Sequence, residues 1–172
     1  VVFIWQNEQK EHGWVIDQTL NWVKEDFVML VEDDGFIFKP GMVDQCFQAL
    51  ESGHFDIVGS KRGSCSQQIL DEAQKRWGIS YEGIGDQGCN FWPCFFFSSR
   101  HLLSNTDRNF GARGWKRGET IESLDCVATD EVVVGDTFVN TSLQLRNIVP
   151  EARIKYVHQY HGHPDDAMHW ND

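Results

Sequence analysis

Uniformly apolar runs alternate with amphipathic stretches at the start of the chain, and this alternation predicts strands and helices in turn. Residues 1–5 and 27–31 are apolar throughout, as expected of strands that are covered on both faces. Between them, apolar residues recur from Ile16 to Val23 at the spacing of one helix face, so a helix is predicted to end near Lys24. The order strand, helix, strand is typical of a parallel sheet with helices on both sides.

The same patterns predict further elements downstream. A helix follows Pro40, carries an apolar face from Met42 to Leu50, and ends at Ser52 and Gly53. Further helices are predicted over residues 67–76, from Arg100, and after Asp136, and strands over residues 55–58, 94–97 and 154–157. Glycine-rich loops, residues 59–88 and 105–119, surround these elements, and long loops of this kind often cover active sites.

Together these elements predict a single α/β domain over residues 1–172, a three-layer α/β/α fold with a mixed, mostly parallel sheet. The composition is 41% hydrophobic and 13% aromatic, which argues against disorder. No apolar run approaches the roughly 18 residues that span a bilayer. Residues 1–5 lack a basic lead-in and a cleavage site, so a strand is predicted there and not a signal peptide.

The net charge of −11 would repel a nucleic-acid backbone, so nucleic acid is excluded as a partner. A phosphorylated ligand would need a divalent cation, bound by carboxylates, to offset this field. The five cysteines show no zinc-ligand spacing, and we interpret them as mostly buried thiols, with a disulfide that involves Cys89 or Cys94 left open. They leave the compartment open, with the cytoplasm slightly favoured. The oligomeric state is likewise open.

The strongest chemical signal is the acidic cluster Glu32, Asp33 and Asp34, directly after the predicted strand 27–31. Side chains alternate along extended backbone, so the first and third carboxylates can share a cation while the second points elsewhere. An acidic turn that caps a helix is the alternative. The position behind a buried strand favours the metal site, because open α/β sheets bind ligands at the carboxyl ends of their strands.

The segment 27–35 resembles the DxD motif of the GT-A glycosyltransferases, particularly the family-2-like members, with a Glu in place of the usual first Asp. The resemblance implies that Glu32 and Asp34 bind Mn²⁺ or Mg²⁺ together with the diphosphate of a nucleotide-sugar donor, and that Asp33 contacts the donor. The glycine-led segment at Gly13 and the helix after it resemble the family's stretch beside the donor. Gly13 and Asp17 are therefore predicted to be donor-binding residues.

With the Gly13 segment, two later segments resemble the family in the same order, so the resemblance covers nearly the whole chain. Residues 95–100 are similar to the strand and arginine at the start of the acceptor half. Asp136 and the helix after it resemble the acidic motif whose carboxylate is the base on the acceptor hydroxyl, although a helix N-cap is an equally open interpretation of Asp136. In the His-rich tail, His161 is the best match to a third metal ligand, and His158 is the reserve candidate.

The resemblance implies a metal-dependent glycosyltransferase that moves a sugar from a nucleotide-diphosphate sugar to a hydroxyl of a carbohydrate or other acceptor. Residues 1–5 align best with the family's third strand, so the two strands that bind the nucleotide base are expected upstream, and the chain is expected to be a C-terminal portion of a longer domain. A non-catalytic carbohydrate- or nucleotide-binding module on the same scaffold is the main rival. A nucleotidyl- or phosphotransferase is disfavoured, because no Walker loop is present.

Overall fold

The chain is an α/β protein, and a computed structural model describes residues 10–31, 40–61, 65–78 and 91–157. Its helices there are α1 (His12–Trp22), α2 (Met42–Glu51), α3 (Gln67–Trp77), α4 (Arg100–Ser104) and α5 (Val139–Ile148), with short 3-10 helices at Glu122–Leu124 and Glu151–Arg153. The strands are β1 (Phe27–Leu30), β2 (Ile57–Lys61), β3 (Phe91–Ser99), β4 (Arg113–Lys116), β5 (Thr120–Ile121), β6 (Cys126–Val127), β7 (Val132–Gly135) and β8 (Ile154–Tyr156).

The main sheet is mixed and has the strand order β1-β3-β2-β8. Strand β3 is antiparallel to both of its neighbours, whereas β8 is parallel to β2. Because β1 and β2 both oppose β3, they run in the same direction as each other and as β8. The carboxyl ends of β1, β2 and β8 therefore lie at one edge of the sheet.

The prediction of a mostly parallel sheet is wrong for the described strands. Among them, β2–β8 is the one parallel pair, while β4 with β7 and β5 with β6 form separate antiparallel ribbons. The cause of the error is that a uniformly apolar run indicates a strand covered on both faces and carries no information about strand direction. Strand β3 inserts between β1 and β2, and the apolar pattern did not reveal that either.

Helices cover both faces of the main sheet. Consecutive residues of a strand point to opposite faces, and Phe96 and Phe97 of β3 pack in two different buried clusters. On the Phe96 side the buried cluster includes Ile16 from α1 and Leu145 from α5. On the Phe97 side it includes Leu50 from α2. This double coverage explains why the strands are apolar throughout.

A second core lies between α3, α5 and the two antiparallel ribbons. Its largest member is Trp115 of β4, which is 2% exposed and packs with Leu143 on α5. Since α5 contributes residues to both this core and the Phe96 cluster, the start of α5 is fixed by packing on two sides.

The predicted helices are confirmed as α1 to α5, and the predicted strands 27–31, 55–58, 94–97 and 154–157 are confirmed with shifted ends as β1, β2, β3 and β8. The predicted strand 1–5 lies outside the described residues. Strands β4 to β7 were not predicted from the sequence. No helix in the described ranges is long and apolar enough to cross a membrane.

Candidate functional site

The sheet edge at which β1 ends is the place where the sequence predicts the metal site. Glu32, Asp33 and Asp34 follow β1 in the sequence, and His158 and His161 follow β8, but all five lie outside the described residues. Within the described ranges, no group of three or more His, Cys, Asp or Glu side chains is close enough to hold a metal ion. The described residues alone do not fit a metal, so the site stays a prediction.

Gly13 and Asp17, the predicted donor-binding residues, both join α1 to the loop before β4. Gly13 is buried, and a Cβ atom at this position would lie 2.1 Å from the backbone nitrogen of Gly111. Asp17 Oδ1 lies 2.8 Å from Nη2 of Arg108. Both residues therefore have structural contacts that explain their identity, and their donor contacts stay predictions.

Asp136, the predicted base, lies between β7 and α5 and is partly buried. Its Oδ1 accepts a hydrogen bond from the backbone N–H of Thr137 at 2.7 Å, and its carbonyl oxygen accepts one from Val139 at 3.0 Å. The alternative interpretation as a helix N-cap is wrong, because the N-cap of α5 is Phe138. The second carboxylate oxygen, Oδ2, is not engaged by the Thr137 bond.

Phe138 holds the turn between Asp136 and α5 in a strained conformation. Its φ is 71°, in the left-handed region that bulky residues rarely adopt. The fully buried ring packs edge-on against Phe96, with ring centroids 5.0 Å apart, and stacks on Phe110 at 5.7 Å. The backbone N–H of Phe138 donates to the carbonyl of Phe110 at 2.8 Å. Strain sustained by packing in this way is concentrated at functional sites, which draws attention to Asp136.

A polar cleft of about 540 Å³ opens beside this turn. It lies between α5 and the 3-10 helix Glu122–Leu124, and Arg113 of β4 forms part of its wall. Arg113 pairs across the β4–β7 ladder with Gly135, which directly precedes Asp136. The cleft therefore shares the β4–β7 strand pair with the turn at Asp136, although Asp136 is not one of its lining residues.

Hydrogen bonds fix the polar side chains on one side of this cleft. Asp107 Oδ2 accepts from the Nδ2 of Asn140 at 3.0 Å, and Asp107 Oδ1 accepts from the backbone of Asn109 at 3.0 Å. The backbone N–H of Asp107 donates to Oε1 of Gln144 at 2.9 Å. Asn140 and Gln144 are one turn apart on α5, so the helix presets the position of the loop carboxylate.

The other side of the cleft is joined to α5 through Asn147. Its Nδ2 donates to the carbonyl of Ser123 at 2.6 Å, and its Oδ1 accepts from Nε of Arg76 at 3.1 Å. Ser123 is 7% exposed, and its buried Oγ has no hydrogen-bond partner within the described part of the chain. A buried hydroxyl that lacks a partner costs free energy and is a signal of an absent ligand or water.

Residues of this cleft were not predicted from the sequence. Asp107 and Arg113 lie in the loop predicted over residues 105–119, where they carry no recognisable spacing. The one available signal was on α5, where the polar residues Asn140, Gln144 and Asn147 recur at i, i+4 and i+7. Asn140 is 3% exposed, so this polar stripe is not an ordinary solvated helix face.

Behind α5, a buried cation lies close to the end of the sheet. The side chain of Arg146 is 1% exposed, and its Nη1 lies 3.1 Å from Oε2 of Glu151. The hydroxyl of Tyr156 donates to the other oxygen of Glu151 at 2.8 Å. Burial first, and then the Glu151 carboxylate, raise the pKa of Tyr156 well above its ordinary value, against the opposing charge of Arg146.

No protein-family model, curated protein or solved structure matches this chain. The features that indicate a function are therefore the chain's own residues and the geometry of the sheet edge, the Asp136 turn and the cleft. The class that the described structure defines is an α/β protein with a mixed sheet.

Proposed function

We propose that the protein is a metal-dependent glycosyltransferase with a GT-A-like three-layer fold. The observation that carries the proposal is the common edge formed by the carboxyl ends of β1, β2 and β8. The sequence continues from β1 directly into Glu32, Asp33 and Asp34. Ligands of open α/β sheets bind at such edges, and carboxylate oxygens are metal ligands that Mn²⁺ and Mg²⁺ prefer.

The role proposed for Asp136 is that of the general base. One carboxylate oxygen is held by the Thr137 N–H, which fixes the orientation of the group and leaves the second oxygen for the acceptor. As the acceptor oxygen bonds to the anomeric carbon, its proton passes to Asp136, and the bond from that carbon to the diphosphate breaks to release the nucleoside diphosphate. A divalent cation, when bound, would neutralise the charge that develops on the diphosphate.

A carbohydrate- or nucleotide-binding module without turnover is the second candidate. The polar cleft beside α5 favours it, because a cleft of this kind can bind a ligand whether or not a nucleotide-sugar donor is present. The two candidates differ in one observable property. A transferase releases nucleoside diphosphate from a nucleotide sugar. Release is slow when the sugar is transferred to water and faster when it is transferred to an acceptor, whereas a binding module releases none.

The test is release of UDP or GDP from a panel of UDP- and GDP-sugars by the full chain in Mn²⁺, with and without carbohydrate acceptors. Asp34→Ala should abolish release while the melting temperature stays unchanged, because a strand-end carboxylate contributes little to the core. The matched control is Asp44→Ala, an exposed carboxylate at the start of α2, which should keep full activity. Wild-type activity of Asp34→Ala at limiting Mn²⁺ would contradict the proposed metal site.

A further inference from the structure

We propose that the cleft between α5 and the 3-10 helix Glu122–Leu124 is a binding site for a neutral carbohydrate. This site does not require the metal or the nucleotide. Its volume of about 540 Å³ lies within the range of small-molecule sites. The exposed side chains Glu122 and Ile148 lie at its rim, so it is open to a ligand from solvent.

The charges in the cleft favour a neutral ligand. Its lining contains two carboxylates, Asp107 and Glu122, and one guanidinium, Arg113, which give a formal charge of −1. Arg113 lies between them, with its two terminal nitrogens 3.9 Å from Asp107 Oδ2 and 3.8 Å from Glu122 Oε2. The cation is thus already balanced on two sides, and an anionic ligand would meet net repulsion.

The same distances favour hydroxyl groups. At 3.8 and 3.9 Å, Arg113 is too far from either carboxylate for a direct hydrogen bond. A hydroxyl group both donates and accepts, so one that lies beside each pair, off the line between the two charged atoms, can accept from the guanidinium and donate to the carboxylate. A ligand with several hydroxyl groups on a rigid ring matches this alternation of donors and acceptors.

Ser123 supplies the independent evidence for a ligand. Its hydroxyl is buried and has no hydrogen-bond partner among the described residues, although the neighbouring cleft residues Asp107, Asn140, Gln144 and Asn147 all have hydrogen bonds. In the structure this Oγ is closed off from the cleft, so rotation about χ1 has to turn it toward a ligand hydroxyl, whose hydrogen bond would then remove that cost. Because Asn140, Gln144 and Asn147 are already fixed by bonds to Asp107 and Ser123, little side-chain entropy is lost on binding.

The choice of a carbohydrate over other neutral polyols rests on the proposed function, whereas the choice of a neutral hydroxylated ligand rests on the cleft alone. Arg113 is the cross-strand neighbour of Gly135, which precedes Asp136, so the cleft lies on the strand pair that leads into the turn where the acceptor is expected. Binding should nevertheless occur without donor or metal. Absence of sugar binding would therefore contradict the cleft site alone, and absence of sugar transfer would contradict the transferase alone.

The experiment titrates the isotopically labelled full chain with glucose, galactose and N-acetylglucosamine in EDTA, followed by amide proton–nitrogen correlation spectra. At least one sugar should give saturable shifts at the amides of residues 107–113, 122–123 and 140–148. Inorganic phosphate and choline, the anionic and cationic probes, should give none there. Saturable cleft binding of either charged probe in preference to the sugars would overturn the proposal, as would the absence of saturable shifts with all three sugars.

Two variants assign the binding to the cleft. Ser123→Ala removes a hydroxyl that lacks a partner, so the fold should be unaffected while sugar affinity falls about tenfold. Ile148→Trp fills the rim from a position that is 46% exposed and should abolish binding, whereas the control Val132→Trp, 50% exposed on β7, should leave it unchanged. Sugar binding that survives Ile148→Trp would overturn the assignment. Loss of transfer in Asp34→Ala with intact sugar binding would support both proposals, because the cleft does not require the metal.

Discussion

Arg108 holds Asp17 through both a side-chain and a main-chain oxygen. Its Nη2 lies 2.8 Å from Oδ1 and 2.7 Å from the carbonyl oxygen of Asp17, 91 positions earlier in the chain. Arg108 adopts a φ of 56°, so this contact is made from a left-handed backbone. The pair joins α1 to the loop that leads into β4, the same junction at which Gly13 meets Gly111.

The first prediction concerns the energy of this ion pair. A double-mutant cycle on Asp17→Ala and Arg108→Ala should give a coupling of about 1 kcal/mol in the free energy of unfolding, a modest value because the side chains are 29% and 30% exposed. Urea denaturation measures it. The helical pair Glu72–Lys75, whose lysine side chain is 77% exposed, is the control, with an expected coupling of about 0.3 kcal/mol. A coupling near zero would show that Arg108 does not hold the Asp17 carboxylate, which could then contact the nucleotide-sugar donor.

The second prediction compares two glycines. Gly13→Ala would place a Cβ atom 2.1 Å from the nitrogen and 2.3 Å from the Cα of Gly111, and backbone cannot yield as a side chain can. We expect destabilisation of at least about 3 kcal/mol. At Gly114 of β4 an added Cβ would make an ordinary 3.6 Å contact with Val132, so Gly114→Ala should cost under about 1 kcal/mol. Similar urea midpoints for the two variants would contradict the close helix–loop approach.

Much of the main sheet and its helices could be predicted because each element buries apolar residues at a spacing that is characteristic of a helix or of a strand. The face of α2 from Met42 to Leu50 and the apolar strand β1 illustrate this, since burial on one or two faces fixes which positions must be apolar. Strand direction could not be predicted in the same way. Direction depends on which strands pair, and β3 separates β1 from β2 through contacts that are distant in sequence.

The candidate site was predictable only where its functional residues are adjacent in the sequence. The acidic triplet at Glu32 is such a cluster, whereas the cleft joins Asp107, Arg113, Glu122 and Asn140 from a loop and three separate elements. The turn at Phe138 shows the same limit. Its φ of 71° is imposed by packing on Phe96 and Phe110, and a phenylalanine in the sequence gives no indication of a left-handed residue.

The third prediction is a pH dependence from Tyr156. Burial and the Glu151 carboxylate raise its pKa in the folded chain, while the unfolded phenol ionises near about pH 10. Its contribution to stability is therefore complete below about pH 10 and is lost as the pH rises further, because the unfolded chain releases its proton first. Above pH 10 the wild type should lose about 1 kcal/mol per pH unit more than Tyr156→Phe in denaturant titrations. Parallel pH profiles would show that the phenol ionises normally.

The last prediction separates the two roles of Asp136, as a structural acceptor and as a base. Asparagine retains the oxygen that accepts the Thr137 N–H, and the N-cap of α5 is Phe138, so Asp136→Asn should leave the melting temperature within about 2 °C of wild type. Asparagine cannot take a proton at neutral pH. If Asp136 is the base, transfer to a good acceptor should fall by about 10²–10⁴-fold, while the nucleotide-sugar affinity stays near that of the wild type. The matched control is Asp44→Asn, an exposed carboxylate on α2, which should change neither quantity. Sugar transfer, donor affinity and melting temperature would be measured together in all three proteins. A transfer rate of Asp136→Asn within about threefold of wild type would remove Asp136 from the mechanism, since loss of a general base costs far more.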